Sequence, residues 1–145
     1  MSYYGAEQYG DTPLSAGRFK TPNALYGALL HLWCAETSPP GLRDKWTPAN
    51  PTLGQCSITA FLVQDIFGGV VRGIPRSGGA FHCFNVVGGR VFDLTSEQFG
   101  DEALDYENCP EQSRELHFQK AEKQERYEKL KRMLEDTHAV PCGQP

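Results

Sequence analysis

Two consecutive glycines inside an apolar segment constrain the fold of this chain more than any other feature. Residues 80–87 and 90–94 have the two-residue period of β-strands, and Gly88-Gly89 lies between them. Glycine adopts the positive φ that a two-residue hairpin turn requires, so the pattern predicts a β-hairpin. In that hairpin, the last residue before the glycines pairs with the first residue after them.

The predicted register brings two chemically useful side chains together. Phe84 faces Asp93 and His82 faces Thr95, so that His82 and Asp93 lie as diagonal neighbours on one face of the sheet. A carboxylate beside an imidazole selects one ring tautomer and stabilises the imidazolium. A register slip of one residue would place these two side chains on opposite faces.

The segments before the hairpin have helical spacing. Thr21-Pro22 is a typical helix start, and the apolar residues that follow predict an amphipathic helix over residues 22–36. A second helix is predicted to begin at Gln55 or Cys56 and to end at Gly68-Gly69. A short strand, residues 70–72, follows it.

Cys56 lies at the predicted start of that second helix. Unpaired backbone amides at a helix N-terminus carry partial positive charge, which favours a thiolate and supplies donors for an oxyanion. The sequence therefore predicts a Cys56, His82 and Asp93 catalytic triad: a nucleophile, its base and the group that orients the base.

Gln55 and Asn85 are the supporting candidates, Gln55 through its side-chain amide at the oxyanion. Asn85 has the opposite strand parity to His82, so alternation favours a hydrogen bond to nearby backbone. A structural zinc site is the alternative use of the cysteines, with Cys34, Cys56, His82 and Cys83 as potential ligands. The absence of any Cys-x-x-Cys pair disfavours that alternative, so we predict neither a metal nor a cofactor.

The remaining sequence defines the domain limits. Residues 1–20 lack periodicity and predict a flexible N-terminal arm, residues 21–136 form a single domain, and residues 137–145 form a disordered tail. Residues 112–135 predict a highly charged helix with one apolar stripe, formed by Leu116, Tyr127, Leu130 and Leu134. The predicted class is α+β, with N-terminal helices packed on a small antiparallel sheet and a charged C-terminal helix.

Charge and composition limit the choice of partners. The formal net charge is −4, which gives no electrostatic reason to expect nucleic acid or an anionic membrane as partner. No apolar run approaches the ~20 residues of a membrane span, and the first residues lack signal-peptide features. We expect a cytoplasmic protein whose five cysteines stay reduced and whose partner is a small-molecule or peptide substrate. The oligomeric state is left open.

Residues 46–56, Trp-Thr-Pro-Ala-Asn-Pro-Thr-Leu-Gly-Gln-Cys, and residues 93–99, Asp-Leu-Thr-Ser-Glu-Gln-Phe, are distinctive elements. Together with residues 59–65, residues 67–69, His82 and Asn85, they resemble the YunG-like family of small bacterial proteins. The resemblance covers the core from about residue 46 to residue 99, and residues 126–130 look similar too. Tyr-Trp usually follows the histidine in that family, whereas Cys83-Phe84 stands here.

The Cys, His, Asp order of that family looks like the order in transglutaminase-like and papain-like enzymes. The resemblance thus implies a papain-like or transglutaminase-like core, in which Cys56 is the nucleophile, His82 the base and Asp93 the orienting group. We expect a cysteine-dependent hydrolase or acyltransferase that acts on an amide or ester through a Cys56 thioester. Water or an amine would complete the reaction, and the sequence does not choose between them. The alternative is a catalytically inactive binding module of the same fold.

Overall fold

The computed structural model describes residues 2–137, and these residues form an α+β domain. The strands are β1 (Val70–Pro75), β2 (Phe81–Val87) and β3 (Arg90–Phe92), in the antiparallel order β1-β2-β3. The helices are α1 (Ala6–Tyr9), α2 (Pro22–Leu29), α3 (Cys56–Phe67), α4 (Arg114–His117) and α5 (Ala121–Asp136). Within residues 2–137, no helix has the length and apolar character that crossing a membrane requires.

The β2–β3 hairpin has the register that the glycine pair predicts. Val87 pairs with Arg90 and Asn85 pairs with Phe92. Gly88 and Gly89 adopt φ values of 57° and 79°, the left-handed region in which a residue with a Cβ is strained. The turn therefore sets which strand residues share a face.

The main core lies between the sheet and helices α3 and α5. Phe61 of α3 is fully buried there and contributes roughly 1.5–3 kcal/mol by the transfer of its ring from water. The opposite face of the sheet carries a smaller apolar cluster, formed by Ile74, Phe84 and Cys109 together with Tyr106. The β2 strand is therefore buried on both faces: the main core covers one face, and the smaller cluster covers the other.

Two helix predictions are wrong in their limits. The helix predicted over residues 22–36 ends at Leu29, and beyond it the Trp33 indole N–H donates to the Thr59 hydroxyl of α3. The helix predicted over residues 112–135 is two helices, α4 and α5, because the chain turns at Phe118, whose ring packs against Phe61 and Tyr127. This turn leaves Leu116 65% exposed, so it is not part of the docking stripe.

Part of the segment predicted as an N-terminal arm packs on the domain. Tyr3 is buried, and its hydroxyl donates to Asn23 Oδ1 at 2.6 Å. Tyr4 forms a β-bridge with Asp93 at the end of the hairpin. Apart from Thr137, the predicted disordered tail lies outside the described residues.

Candidate active site

Cys56 is the first residue of α3, at the end of a loop that requires glycine. Gly54 has a φ of 74°, and a Cβ at this position would lie 2.5 Å from Ser38 Oγ. Among the described residues, no side chain caps the first turn of α3. The first backbone amides of this helix therefore have no side-chain partner among the described residues. Cys56 is partly exposed as a residue, but burial of its sulfur opposes ionisation of the thiol.

His82 and Asp93 meet as the diagonal placement predicts. His82 Nε2 lies 2.6 Å from Asp93 Oδ2, and the two side chains are only 2% and 1% exposed. The contact is charge-assisted when the ring is protonated, and such contacts are shorter than neutral hydrogen bonds. The ring is therefore held by its Nε2 edge.

Further donors fix the Asp93 carboxylate from both sides. The Tyr106 hydroxyl donates to Oδ2 at 2.8 Å, while the Thr95 amide and hydroxyl donate to Oδ1 at 3.2 and 3.3 Å. The Asp93 amide donates to the Tyr4 carbonyl at 3.0 Å. Sequence analysis missed Tyr106, because residues 101–110 have no periodicity that would place any one of them on the sheet.

The second ring nitrogen of His82 remains free in the described part of the chain. Nδ1 is buried and makes no hydrogen bond to any residue there. The Phe99 ring packs nearly perpendicular to the imidazole, with centroids 4.7 Å apart, and the Arg76 guanidinium lies over the Phe99 ring. The ring is thus shielded from water while one of its nitrogens lacks a partner.

Cys56 and His82 shift each other's pKa in opposite directions. The contact with the Cys83 thiol, followed by the contact with His82, lowers the pKa of Cys56 well below its ordinary value against the effect of burial. Burial opposes the charged form of His82, but its contacts with Asp93 and Cys56 outweigh burial and raise its pKa to about 10. These directions favour a thiolate–imidazolium pair near neutral pH.

Cys56 and His82 form no hydrogen bond in this structure, because the buried Nδ1 atom of His82 has no partner among the described residues. The Cys56 sulfur lies 3.9 Å from the carbonyl oxygen of Phe81, the residue that precedes His82 in sequence. Catalytic contacts without substrate are often long and tighten when substrate binds.

The two supporting candidates make structural contacts instead. The Gln55 amide nitrogen donates to the Cys34 carbonyl at 3.1 Å, so this geometry does not favour its predicted oxyanion contact. The Asn85 amide donates to the Ala60 carbonyl at 2.9 Å, on the α3 face of the sheet. Asn85 therefore points to the face of the sheet opposite His82, as the alternation of strand residues predicts, and does not contact the site.

Two other residues that sequence analysis did not assign to the site affect its assembly. Gln98 accepts from the Gly54 amide at 3.2 Å and donates to the Thr95 carbonyl at 3.0 Å, which links the loop before Cys56 to the turn after Asp93. Cys83 lies on the α3 face of β2 and contributes a second thiol beside Cys56. Within residues 2–137, no group of three or more His, Cys, Asp or Glu side chains is arranged to hold a metal ion.

Comparison with known proteins places the chain in a family. The family model described as YunG protein matches residues 21–139, which is most of the chain. The chain belongs to the YunG family. It is also 37% identical over 81 residues to a Bacillus subtilis (strain 168) protein described as "Uncharacterized protein YunG". That match covers 56% of this chain and 69% of the relative.

No solved structure matches this YunG-family chain. The family match includes Cys56, His82 and Asp93 as well as Tyr106, because all four lie within residues 21–139. Both descriptions name a family and no reaction. The chemistry must therefore be inferred from the site itself.

Proposed function

We propose that this protein is a cysteine-dependent hydrolase or acyltransferase that acts on an amide or ester through a thioester on Cys56. The main support is the state of the His82 imidazole. Buried Asp93 holds the ring at Nε2, while its Nδ1 atom has no hydrogen-bond partner among the described residues and the Cys56 thiol influences its pKa. A cysteine at a helix start followed by a histidine and an aspartate on neighbouring strand positions is the layout of papain-like and transglutaminase-like enzymes.

The first half of the reaction forms the thioester. The Cys56 thiolate attacks the carbonyl carbon, and the backbone amides of the first turn of α3 bind the resulting oxyanion. The tetrahedral intermediate collapses, the carbon–nitrogen or carbon–oxygen bond breaks, and the His82 imidazolium gives its proton to the leaving amine or alkoxide.

The second half regenerates the thiolate. Neutral His82 takes a proton from water or from an amine, which attacks the thioester carbonyl and expels the Cys56 sulfur. Water gives a carboxylic acid and an amine gives a new amide. Asp93 acts through His82, because it keeps the ring oriented and favours its protonated form.

The test uses p-nitrophenyl acetate as a general acyl donor, with acid-quenched mass spectrometry and peptide mapping. We expect an acetyl group to form on Cys56 and then decay, with p-nitrophenolate released over many turnovers. Cys56→Ser should abolish the acetylation and the release of p-nitrophenolate. Cys34→Ser, which alters another partly exposed cysteine, should leave the two signals unchanged. Adding a primary amine separates transfer from hydrolysis by the product formed. A folded wild-type protein that never acylates Cys56 would favour the binding module.

A further inference from the structure

A cleft of about 470 Å³ opens between the start of β2 and the α4–α5 segment. Its walls include Phe81 at the start of β2 and side chains from the α4–α5 segment, among them Leu116, His117 and Lys123. Phe81 and Leu116 are 37% and 65% exposed, so the cleft has apolar surface available to a ligand.

Neither Cys56 nor Cys83 lines the cleft, but each contacts a residue that does. The Cys56 sulfur lies 3.9 Å from the Phe81 carbonyl oxygen, and Phe81 lines the cleft. On the other side, the Cys83 sulfur lies 4.0 Å from Nε2 of His117, which lines the same cleft. A molecule whose carbonyl reaches Cys56 can therefore extend along this cleft.

The cleft contains a half-buried ammonium group without a carboxylate partner. Lys123 Nζ lies 2.8 Å from His117 Nδ1, and His117 Nε2 lies 2.9 Å from Gln112 Oε1. Burial and the charge of Lys123 lower the pKa of His117 to about 4, so the ring is neutral at pH 7 and accepts from the ammonium. No carboxylate of the described residues forms an ion pair with Lys123.

The other charged side chains that line the cleft do not give Lys123 a carboxylate partner. Lys120 and Glu111 also line the cleft, both with exposed side chains, and their formal charges cancel. Burial lowers the pKa of Lys123, and this effect outweighs the opposing influence of the nearby Cys83 and Cys56 sulfurs. A carboxylate brought by a ligand would restore the missing partner.

We propose that the substrate carries a carboxylate, which Lys123 binds in this cleft, and that an apolar part of the same substrate contacts Phe81 and Leu116. This inference rests on the proposed function, because it uses Cys56 as the reacting group. It specifies the substrate class as an amide or ester with an anionic substituent, and it assigns Lys123 to substrate binding rather than to chemistry.

The test compares the alkylation of Cys56 by two pairs of thiol reagents that differ mainly in charge. Maleimidopropionic acid is paired with N-propylmaleimide, and maleimidohexanoic acid with N-hexylmaleimide, so that both short and long tethers are sampled. Second-order rates at Cys56 are followed by peptide mass spectrometry in the full-length protein. The quantity measured is the rate of the acid divided by the rate of its neutral counterpart.

We expect Lys123→Met to lower this ratio by roughly fivefold for at least one tether length, the scale of one partly buried ion pair. Lys123→Arg should retain the ratio, because it keeps the charge. Lys131→Met, which removes a lysine from α5 outside the cleft, should also retain it. The comparison among variants is necessary because the His82 imidazolium attracts anionic reagents in all of them.

An unchanged ratio in Lys123→Met for both tethers would overturn the assignment of Lys123. A fall in the rates of the acid and the neutral reagent by the same factor would also overturn it, because it would indicate an effect on the thiolate. If Cys56 reacts no faster than the other cysteines with any reagent, the proposed function fails first. Fast labelling of Cys56 without charge preference contradicts only the inference about the carboxylate.

Discussion

Asp93 Oδ2 accepts hydrogen bonds from both His82 Nε2, at 2.6 Å, and the Tyr106 hydroxyl, at 2.8 Å. One carboxylate oxygen therefore links His82, whose place in the hairpin can be predicted from the sequence, to Tyr106, whose place cannot. The charge of that carboxylate is what favours the protonated ring next to Cys56.

Asp93→Asn tests this charge with little change in shape. The amide cannot favour the imidazolium as a carboxylate does, so the pKa of His82 should fall and the Cys56 thiolate should lose its counter-ion. We expect turnover of p-nitrophenyl acetate to fall by about a hundredfold or more at pH 7. Asp105→Asn, in the exposed loop near Tyr106, is the matched control. Equal turnover in wild type and Asp93→Asn would remove Asp93 from the mechanism.

Tyr106→Phe tests the second donor to Asp93. Removing a hydrogen bond to a buried carboxylate should lower the free energy of unfolding by about 1.5–3 kcal/mol. Urea denaturation at pH 7 measures this, and Tyr9→Phe removes a hydroxyl outside the Asp93 network as a control. An effect below about 0.5 kcal/mol would indicate that Tyr106 contributes no more than an ordinary surface residue.

Two variants of Cys83 separate its effect as a hydrogen-bond donor to Cys56 from its effect on packing. The contact with the Cys83 thiol is the largest cause of the lowered pKa of Cys56. Cys83→Ala should raise that pKa and slow the labelling of Cys56 at neutral pH several-fold, whereas Cys83→Ser keeps a donor and should remain close to wild type. The thiolate absorbance near 240 nm, compared with that of Cys56→Ser, reports the titration. Identical titrations in Cys83→Ala and wild type would exclude this contribution.

Asn85 provides a stability prediction that is independent of catalysis. Its buried amide bonds the Ala60 carbonyl and links β2 to α3. Asn85→Ala should lower the free energy of unfolding by about 1–3 kcal/mol, since the substitution removes a buried hydrogen bond and leaves a small cavity. The exposed Gln119→Ala should change it by less than about 0.5 kcal/mol. Equal effects of the two substitutions in urea denaturation would contradict the account.

The central part of the fold can be predicted because its signals are local. Gly88-Gly89 sets the register of the hairpin, and the change from a helical period to a two-residue period at Gly68-Gly69 separates α3 from the sheet. The contact between His82 and Asp93 agrees with that register, although Asp93 lies one residue beyond the last pair of the ladder and forms its own bridge to Tyr4.

The rest depends on contacts between residues far apart in sequence. Residues 30–34 lie outside α2, where Trp33 donates to Thr59 and the Cys34 carbonyl accepts from Gln55. Tyr106 reaches Asp93 through a loop without periodicity, stacked on Tyr4 at 4.0 Å. No local pattern encodes such packing, so propensity and spacing could not locate these side chains.

The protonation state of Cys56 tests the central claim most directly. Carbamidomethylation by iodoacetamide is measured at Cys56 from pH 4 to pH 10 by peptide mass spectrometry, with Cys34 in the same chain as an internal reference. The account predicts that Cys56 reacts fast throughout the neutral range and slows only in acid, because its pKa is lowered, and that the imidazolium persists until its own pKa of about 10. A Cys56 rate that instead rises with a midpoint near about 8.5, as for an ordinary thiol, would contradict the thiolate–imidazolium pair and the function proposed from it.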